Sequence, residues 1–517
     1  MGSRRREEAR TMERTPPPRR AWQRLAWPVC SFPKGRQTFF RLTPVPAGHS
    51  VCFAVRRGET GARLDPQYLE LDRRKRVYYA SPAYPLTPLR TLCTFVQYGI
   101  SERANTESLG ARMIRMNNLQ ANGWDFSDLK HIQLDDEKLQ KYKLEPGDLL
   151  FNRTNSKELV GKCEVFQESG DWVFASYLIR VRLDTSRVIP GYVSDFLNCP
   201  AGRIQIDQVS RQIVGMSNVN AEELKDLLVP LPPLQKQRQL ALELAQARKH
   251  RDECLAEEER IPSELDDQIM AHLGIAKPNY PSLQIFAVTT GELRGSRFDP
   301  TFHHPKYHAA LRAIESGKEP HVKLGELLLD ISGGATPKAG AEELYASSGI
   351  KFFRILNIRA NHLDFKDLNF INPEVHEGLL KRSQLASGDV VMTITGRVGS
   401  SAVISHTELP ANINQHIVRL RVNPSQCLPH FLAAYLNTSI GMLMSNRPVS
   451  GGTRVALDYG SIREIPVVLP NLNTQQKVIQ LVAANMNRAA TLRAQSENVW
   501  REARAKFEKQ LLNKATP

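Results

Sequence analysis

One eighteen-residue phrase occurs twice in this chain, and that repetition limits its fold more than any other feature. Arg115–Ile132 reads RMNNLQANGWDFSDLKHI, and Arg354–Ile371 reads RILNIRANHLDFKDLNFI. Nine of the eighteen positions are identical, among them Arg115/Arg354, Asn118/Asn357, Asp125/Asp364 and Phe126/Phe365. The copies lie 239 residues apart. A solenoid repeats every ~20–50 residues, so this offset predicts a duplicated domain instead. Two like domains in one chain offer two like surfaces to an extended, pseudo-symmetric partner.

The likeness extends beyond that phrase. GARLDP at Gly61 matches GSRFDP at Gly295. Leu89–Gly99 and Leu324–Gly334 each read as a short apolar element ending in glycine. Pro146-Gly-Asp148 and Ser387-Gly-Asp389 are turn signals, and each leads into a β-prone run, LLFNRT or VVMTIT. Further β-prone runs follow at Trp172–Leu183 and His416–Val422. Each half closes on nearly the same words, LKDLLVPLP at Leu224 and IREIPVVLP at Ile462.

A long helix is predicted after each closing phrase, over about 234–259 and about 474–512. Leu240, Leu244, Ala247 and Arg251 fall three or four apart in the first. Val478, Leu481, Val482, Asn485 and Met486 form a stripe in the second, which Ala489, Leu492, Val499, Phe507 and Leu511 prolong. Amphipathic helices draw most of their stability from packing. These two are expected to pack on each other, antiparallel, with a mixed α/β domain at either end. Between the halves, IPSE and AKPNYPS read as connecting segments. His303, His304 and His308 cluster after them, without a further ligand at helical spacing, and read as a loop leading into a helix.

At 517 residues the chain is too long for one core. A hydrophobic content of 41% is ordinary for a globular protein. No run approaches the ~18 apolar residues of a membrane span. The N-terminus has no signal-peptide core, because Arg24 interrupts AWQRLAW. Seven scattered cysteines form neither a disulfide framework nor a zinc pattern, which favours the cytoplasm. The net charge is +15, of which the first 60 residues carry +9. Much of the basic signal thus sits in a leader that includes PPPRR and reads as disordered, with Met12 as an alternative start.

Catalytic signatures do not emerge. Neither NPPY nor DPPY is present to hold a flipped base. Gly333–Lys338 lacks the spacing of a phosphate loop, and Thr395–Ser400 lacks that of a dinucleotide site. No catalytic and no metal-ligating residue is assigned. The remaining candidates suit contact with DNA. Arg115, Asn117, Asn118 and Gln120 gather in the first copy, and Arg354, Asn357 and Arg359 in the second. Arginine pairs with guanine, and asparagine or glutamine with adenine. Asn117 becomes Leu356 and Gln120 becomes Arg359 between copies, as expected if the two read different sequences. Asn118 and Asn357 also suit backbone capping, and Asn122 and Asn361 suit turns. Arg153, Thr154, Asn155 and Lys157 follow one strand; Thr395, Arg397 and Ser400 follow its counterpart. Such loops can hold phosphate. Arg447 and Arg454 flank a paired-glycine loop, and Arg211 lies at the corresponding place in the first half.

With these pieces assembled, the chain resembles the specificity (S) subunits of Type I restriction–modification systems. The resemblance rests on LLVPLPPLQKQRQL at Leu227 and IPVVLPNLNTQQKVIQL at Ile465. VKLGELLLDISGGATPK at Val322, RILNI at Arg354 and SGDVVMTITGRVGSSAV at Ser387 also match. It covers about 86–512 and is cleaner in the second half. In the first, FVQYGISERAN and FNRTNSKELVGK replace the glycine-rich phrases. The resemblance implies an α+β chain of two tandem target recognition domains, each followed by a long conserved helix, the pair forming an antiparallel coiled-coil-like spacer. The expected bounds are leader 1–60, first domain 61–230, helix 231–275, linker 276–320, second domain 321–472 and helix 473–517. It further implies a non-catalytic subunit that binds a split double-stranded DNA target with a fixed gap and holds no cofactor itself. Two methyltransferase (modification) subunits using S-adenosylmethionine are implied as partners, and restriction subunits using ATP and Mg2+ can join them. Related modules occur in combined restriction–methylation enzymes and in methylation-based phage defence. An enzyme whose motif escapes notice, and a protein scaffold for a symmetric dimer, are the other classes open at this point.

Overall fold

Both halves build the same two sheets in the same strand order. In the first half, the four-stranded antiparallel sheet runs Cys163–Val165, Leu149–Asn152, Leu178–Leu183, Cys93–Tyr98. Its counterpart runs Ser401–Val403, Val390–Thr393, Ile417–Val422, Leu328–Gly333. In the second sheet Ala111–Ile114 lies parallel to Trp172–Phe174 and antiparallel to Lys130–Ile132. Ile350–Phe353, Ala411–Ile413 and Asn369–Ile371 repeat that arrangement, with Tyr345–Ala346 added at one edge. This computed structural model describes residues 66–512 except 106, 108, 121–122, 214–215, 281–284, 294–297, 338–343 and 448–455. It describes the backbone alone for 37–40, 53–56, 66–67, 211–213 and 292–293. The described residues fall into two compact units, one up to Arg248 together with the stretch from Trp500, the other Lys249–Val499.

The unbroken apolar runs have a direct cause. Successive side chains of a strand point to opposite faces, so a strand covered on both faces needs apolar residues throughout. Leu149 and Phe151 enter the main core of the first unit, while Leu150 enters a smaller aromatic core with Phe166, Trp172 and Phe174. Val390 and Met392 likewise enter one core of the second unit, and Val391 another. The glycines that follow each opening strand are required by close approach. A Cβ on Gly99 would sit 2.3 Å from the Ala175 carbonyl oxygen, and one on Gly334 would sit 2.1 Å from that of Ile413.

Both Gly-Asp turns are held from inside. Asp148 and Asp389 are buried. Asp148 accepts from Glu145 N and Arg182 Nε; Asp389 accepts from Ala386 N and Arg421 Nε. The closing phrases become short strands, Leu228–Pro230 and Pro466–Val468, which pair with Leu86–Pro88 and His321–Lys323.

The long helices span Leu234–His272 and Leu472–Leu512. The first is therefore longer than its predicted end near 259. It runs through Pro262, which the sequence alone assigns to a connecting segment. Proline removes one helical hydrogen bond, but Ile261, Leu265, Ile269 and Met270 are all buried, and that packing outweighs the local break. Each helix is fastened to the domain before it by a buried glutamine one turn from its start. Gln237 accepts from Ile189 N and donates to the Arg187 and Pro232 carbonyls. Gln475 accepts from Leu428 N and donates to the Gln426 and Pro470 carbonyls.

The two helices pair, running in opposite directions. In the second unit Arg488 bridges Glu257 and Glu264, Arg493 meets Glu258, and Asn485 meets Gln268. In the first unit Lys506 meets Glu243 at 2.8 Å, and Phe507, Leu511 and Leu512 complete the core around Tyr192, Leu240 and Leu244. The histidine cluster is a turn leading into the helix Pro305–Glu315, with His304 Nδ1 accepting from Lys306 N at its start. Among the described residues no group of three or more His, Cys, Asp or Glu could hold a metal ion. None of the described helices is long and apolar enough to cross a membrane.

Candidate nucleic-acid interface

The repeated phrase folds into the same turn twice. A strand ends at Ile114 or Phe353, and one 3-10 turn follows at Met116–Asn118 or Ile355–Asn357. The asparagine closing that turn is buried and fully engaged. Asn118 Oδ1 accepts from Arg115 N at 2.9 Å, and its amide donates to the Asp125 carbonyl at 2.9 Å. Asn357 repeats both bonds, to Arg354 N and the Asp364 carbonyl, at the same distances. These two candidates for DNA contact therefore face inward, because their amides supply partners that the turn's backbone would otherwise lack. Of the paired turn asparagines, Asn122 lies outside the described residues. Asn361 takes φ +64° and donates to the Ser401 carbonyl, as a turn residue should.

Arg115 and Arg354 brace the same loop. Arg115 reaches the Asp128 carboxylate and carbonyl, each at 2.8 Å, and holds the Asp128 carboxyl below the usual carboxylate range. Arg354 donates to the Asp367 carbonyl. The side chains that the turn presents outward are the ones that differ between copies. Asn117 and Gln120 are exposed in the first, with Gln120 donating to the Asn117 carbonyl at 2.7 Å. Leu356 is 59% exposed in the second, and the half-exposed Arg359 pairs with Asp364 at 3.3 Å.

The second group of candidates lies where the four-stranded sheet ends. Arg153 is half-buried. Its guanidinium lies 4.8 Å from the centre of the Tyr98 ring and reaches the Ser176 carbonyl and Asn218 Oδ1, each at 3.4 Å. Thr154–Asn155 forms a small ribbon with Met216–Asn218 and Arg211–Ile213, so Thr154, Asn155 and the backbone of Arg211 come together. The Arg211 side chain lies outside the described residues. Lys157 is exposed on the following turn. In the second half Thr395 bonds His416 Nδ1 at 2.9 Å, and Arg397 is exposed. A Cβ on Gly396 would lie 3.1 Å from Ile355 Cδ1, so this loop adjoins the repeated turn.

Two other candidates belong to the interior. Ser400 is buried, and its carbonyl accepts from Thr393 N at 3.0 Å. Arg447 lies 4.4 Å from the Phe302 ring centre and donates to the Phe302 carbonyl at 3.3 Å, and burial pulls its guanidinium below the ordinary value. A cation beside glycines signals an anionic partner in the sequence, but here an aromatic ring from the preceding linker takes it up. Arg454 lies outside the described residues. Tyr98, Tyr177 and Asn218 were missed by the sequence reading, because nothing in their spacing shows that they converge on Arg153.

Residues 318–497 match the family model described as Type I restriction modification DNA specificity domain. That stretch is similar to the DNA specificity domain of Type I restriction–modification proteins. The chain is 27% identical over 159 residues to the EcoKI specificity subunit of Escherichia coli K12, covering 30% of this chain and 34% of that relative. It is 21% identical over 310 residues to the EcoBI specificity subunit of Escherichia coli, covering 59% and 60%. The matched stretch thus spans about a third of the EcoKI subunit. A chain in a solved structure of a type I R-M system covers 84% of this one and 98% of itself, with TM-score 0.51 and 16% identity, which establishes likeness of fold.

Proposed function

We propose that this chain is the sequence-specific DNA recognition subunit of a Type I restriction–modification complex. Each domain reads one half of a bipartite target. The observation that carries this reading is the pair of matched turns with unmatched side chains. The same backbone displays Asn117 in one copy and Leu356 in the other, and likewise Gln120 and Arg359. A fold kept twice while its outward groups change suits a reader of two different sequences.

The functional bounds proposed are 61–230 and 321–472 for the target recognition domains and 231–275 and 473–517 for the helices. The helices act as an antiparallel coiled-coil spacer that sets the gap between half-sites. Supporting this, Leu240, Leu244, Arg251, Cys254, Ile261 and Leu265 are buried at alternating three- and four-residue steps or their multiples. In the second helix Val478, Asn485, Leu492 and Ser496 follow the same rule. The complex works in the cytoplasm on double-stranded DNA. Two modification subunits supply S-adenosylmethionine chemistry on adenine, and restriction subunits supply ATP- and Mg2+-dependent cleavage.

Co-expression with its modification subunit, followed by single-molecule mapping of adenine methylation, tests the reading. A bipartite motif with one fixed gap is expected, and it should vanish when this chain is omitted. Methylation that does not depend on the chain would overturn the proposal. Inserting seven residues at matched places in both helices adds about 10 Å, or roughly three base pairs. The gap in the mapped motif should lengthen accordingly, and an unchanged gap would remove the spacer role.

A further inference from the structure

The turn that carries the chain from the smaller sheet into the larger one is built identically in both halves. Arg153 N donates to the Tyr177 carbonyl at 3.0 Å, and Ile394 N donates to that of His416 at 3.0 Å. Ala175 N reaches the Ile114 carbonyl at 2.9 Å, and Asn414 N that of Phe353 at 3.1 Å. Gly99 N reaches Leu178 O at 3.3 Å, and Gly334 N reaches Ile417 O at 3.2 Å. These bonds make Ser176 and Tyr177 the structural equivalents of Gln415 and His416. The backbone is the same, and the side chains share nothing.

In the second half those side chains form a relay. The Thr336 hydroxyl donates to Gln415 Oε1. Gln415 Nε2 lies 3.2 Å from His416 Nε2, and His416 Nδ1 lies 2.9 Å from Thr395 Oγ1. An amide nitrogen only donates, so His416 Nε2 accepts and its Nδ1 carries the proton toward Thr395. His416 is anchored in turn through its backbone N–H, which donates to Asn414 Oδ1 at 3.1 Å. The relay leads to Gln415, whose side chain is exposed. A carboxamide has two acceptor lone pairs and two N–H donors. Thr336 and His416 take one of each, which leaves one acceptor and one donor on an amide that is already oriented. Adenine presents the complementary pair in the major groove, the N6 amino donor and the N7 acceptor.

We infer that Gln415 is a specificity-determining residue of the second domain that reads an adenine in one half-site, held for the purpose by Thr336 and His416. The assignment rests on the DNA-recognition reading above. Pre-orientation matters because a side chain fixed before binding loses less rotamer freedom on contact. Ser176 is too short to do the same in the first half, where Arg153 and Tyr98 fill the neighbouring space. The two half-sites are therefore read through different chemistry at one topological position.

Methylation mapping of the assembled complex carrying Gln415→Ala, Gln415→Glu or Thr336→Val tests this. Gln415→Ala should reduce discrimination about tenfold at a single A·T pair of one half-site. Gln415→Glu should move the preference at that position toward cytosine, whose N4 amino group donates to a carboxylate. Thr336→Val should weaken discrimination at the same pair by less. The other half-site should stay intact in all three, which shows that the chain folds and assembles. Equal weakening at every position, or an unchanged motif with Gln415→Ala, overturns the role of Gln415. A wild-type chain that directs no bipartite motif overturns the recognition reading itself, and this assignment with it.

Discussion

Phe507→Ala is expected to destabilise the first unit by about 3–5 kcal/mol. Phe507 is buried, with its ring centre 5.9 Å from that of Tyr192, and it shares a core with Leu240, Leu244 and Leu511. Truncation removes the apolar area and leaves a cavity that helices and sheet cannot close together. Hydrogen exchange locates the effect. Amides of the strands Leu149–Asn152 and Leu178–Leu183 should lose protection, while those of Val390–Thr393 and Ile417–Val422 keep theirs. Unaltered protection in the first pair would mean that the end of the second long helix contributes nothing to that core.

Asp389→Ala should cost the second unit about 3 kcal/mol, the lower end of the range for breaking a buried ion pair. Asp389 is 1% exposed and accepts from Arg421 at 2.7 and 2.9 Å and from Ala386 N at 2.7 Å. Arg419, itself mostly buried, lies within 4.0 Å. Solvent reaches Arg421 and screens its share, which is why the upper end is not expected. Asp389→Asn keeps an acceptor for Ala386 N and should lose roughly half as much. Denaturant titration of the two variants decides the matter. An Ala variant within about 0.5 kcal/mol of the parent would make this charge cluster a surface feature in energetic terms.

The sequence reveals what is local or repeated, and it conceals what depends on remote partners. The duplicated domains, the Gly-Asp turns and the paired long helices are visible because spacing and repetition encode them. Pro262 misleads, since a local helix breaker is overruled by Ile261, Leu265 and Ile269, whose burial no local rule reports. Asn118 and Asn357 suit a reader of adenine as well as a turn cap. Only the burial of their amides against Asp125 and Asp364 separates the two roles. Arg447 advertises an anionic partner until Phe302, 145 residues earlier, is seen to hold it. Gln415 and His416 are unremarkable in sequence, because Thr336 and Thr395, which orient them, come from two other segments.

The second unit is one uninterrupted stretch of chain, whereas the first is completed by residues from Trp500 onward. Order of synthesis and order of completion are therefore reversed. When a ribosome has delivered residues as far as Val499, every residue of the second unit exists. The first, begun earlier, still lacks Phe507, Leu511 and Leu512. Until those last turns emerge, the apolar face around Tyr192, Leu240 and Leu244 stays wet and open to wrong partners. A message cut short just before Trp500 would thus yield a chain whose oldest domain is the unfinished one.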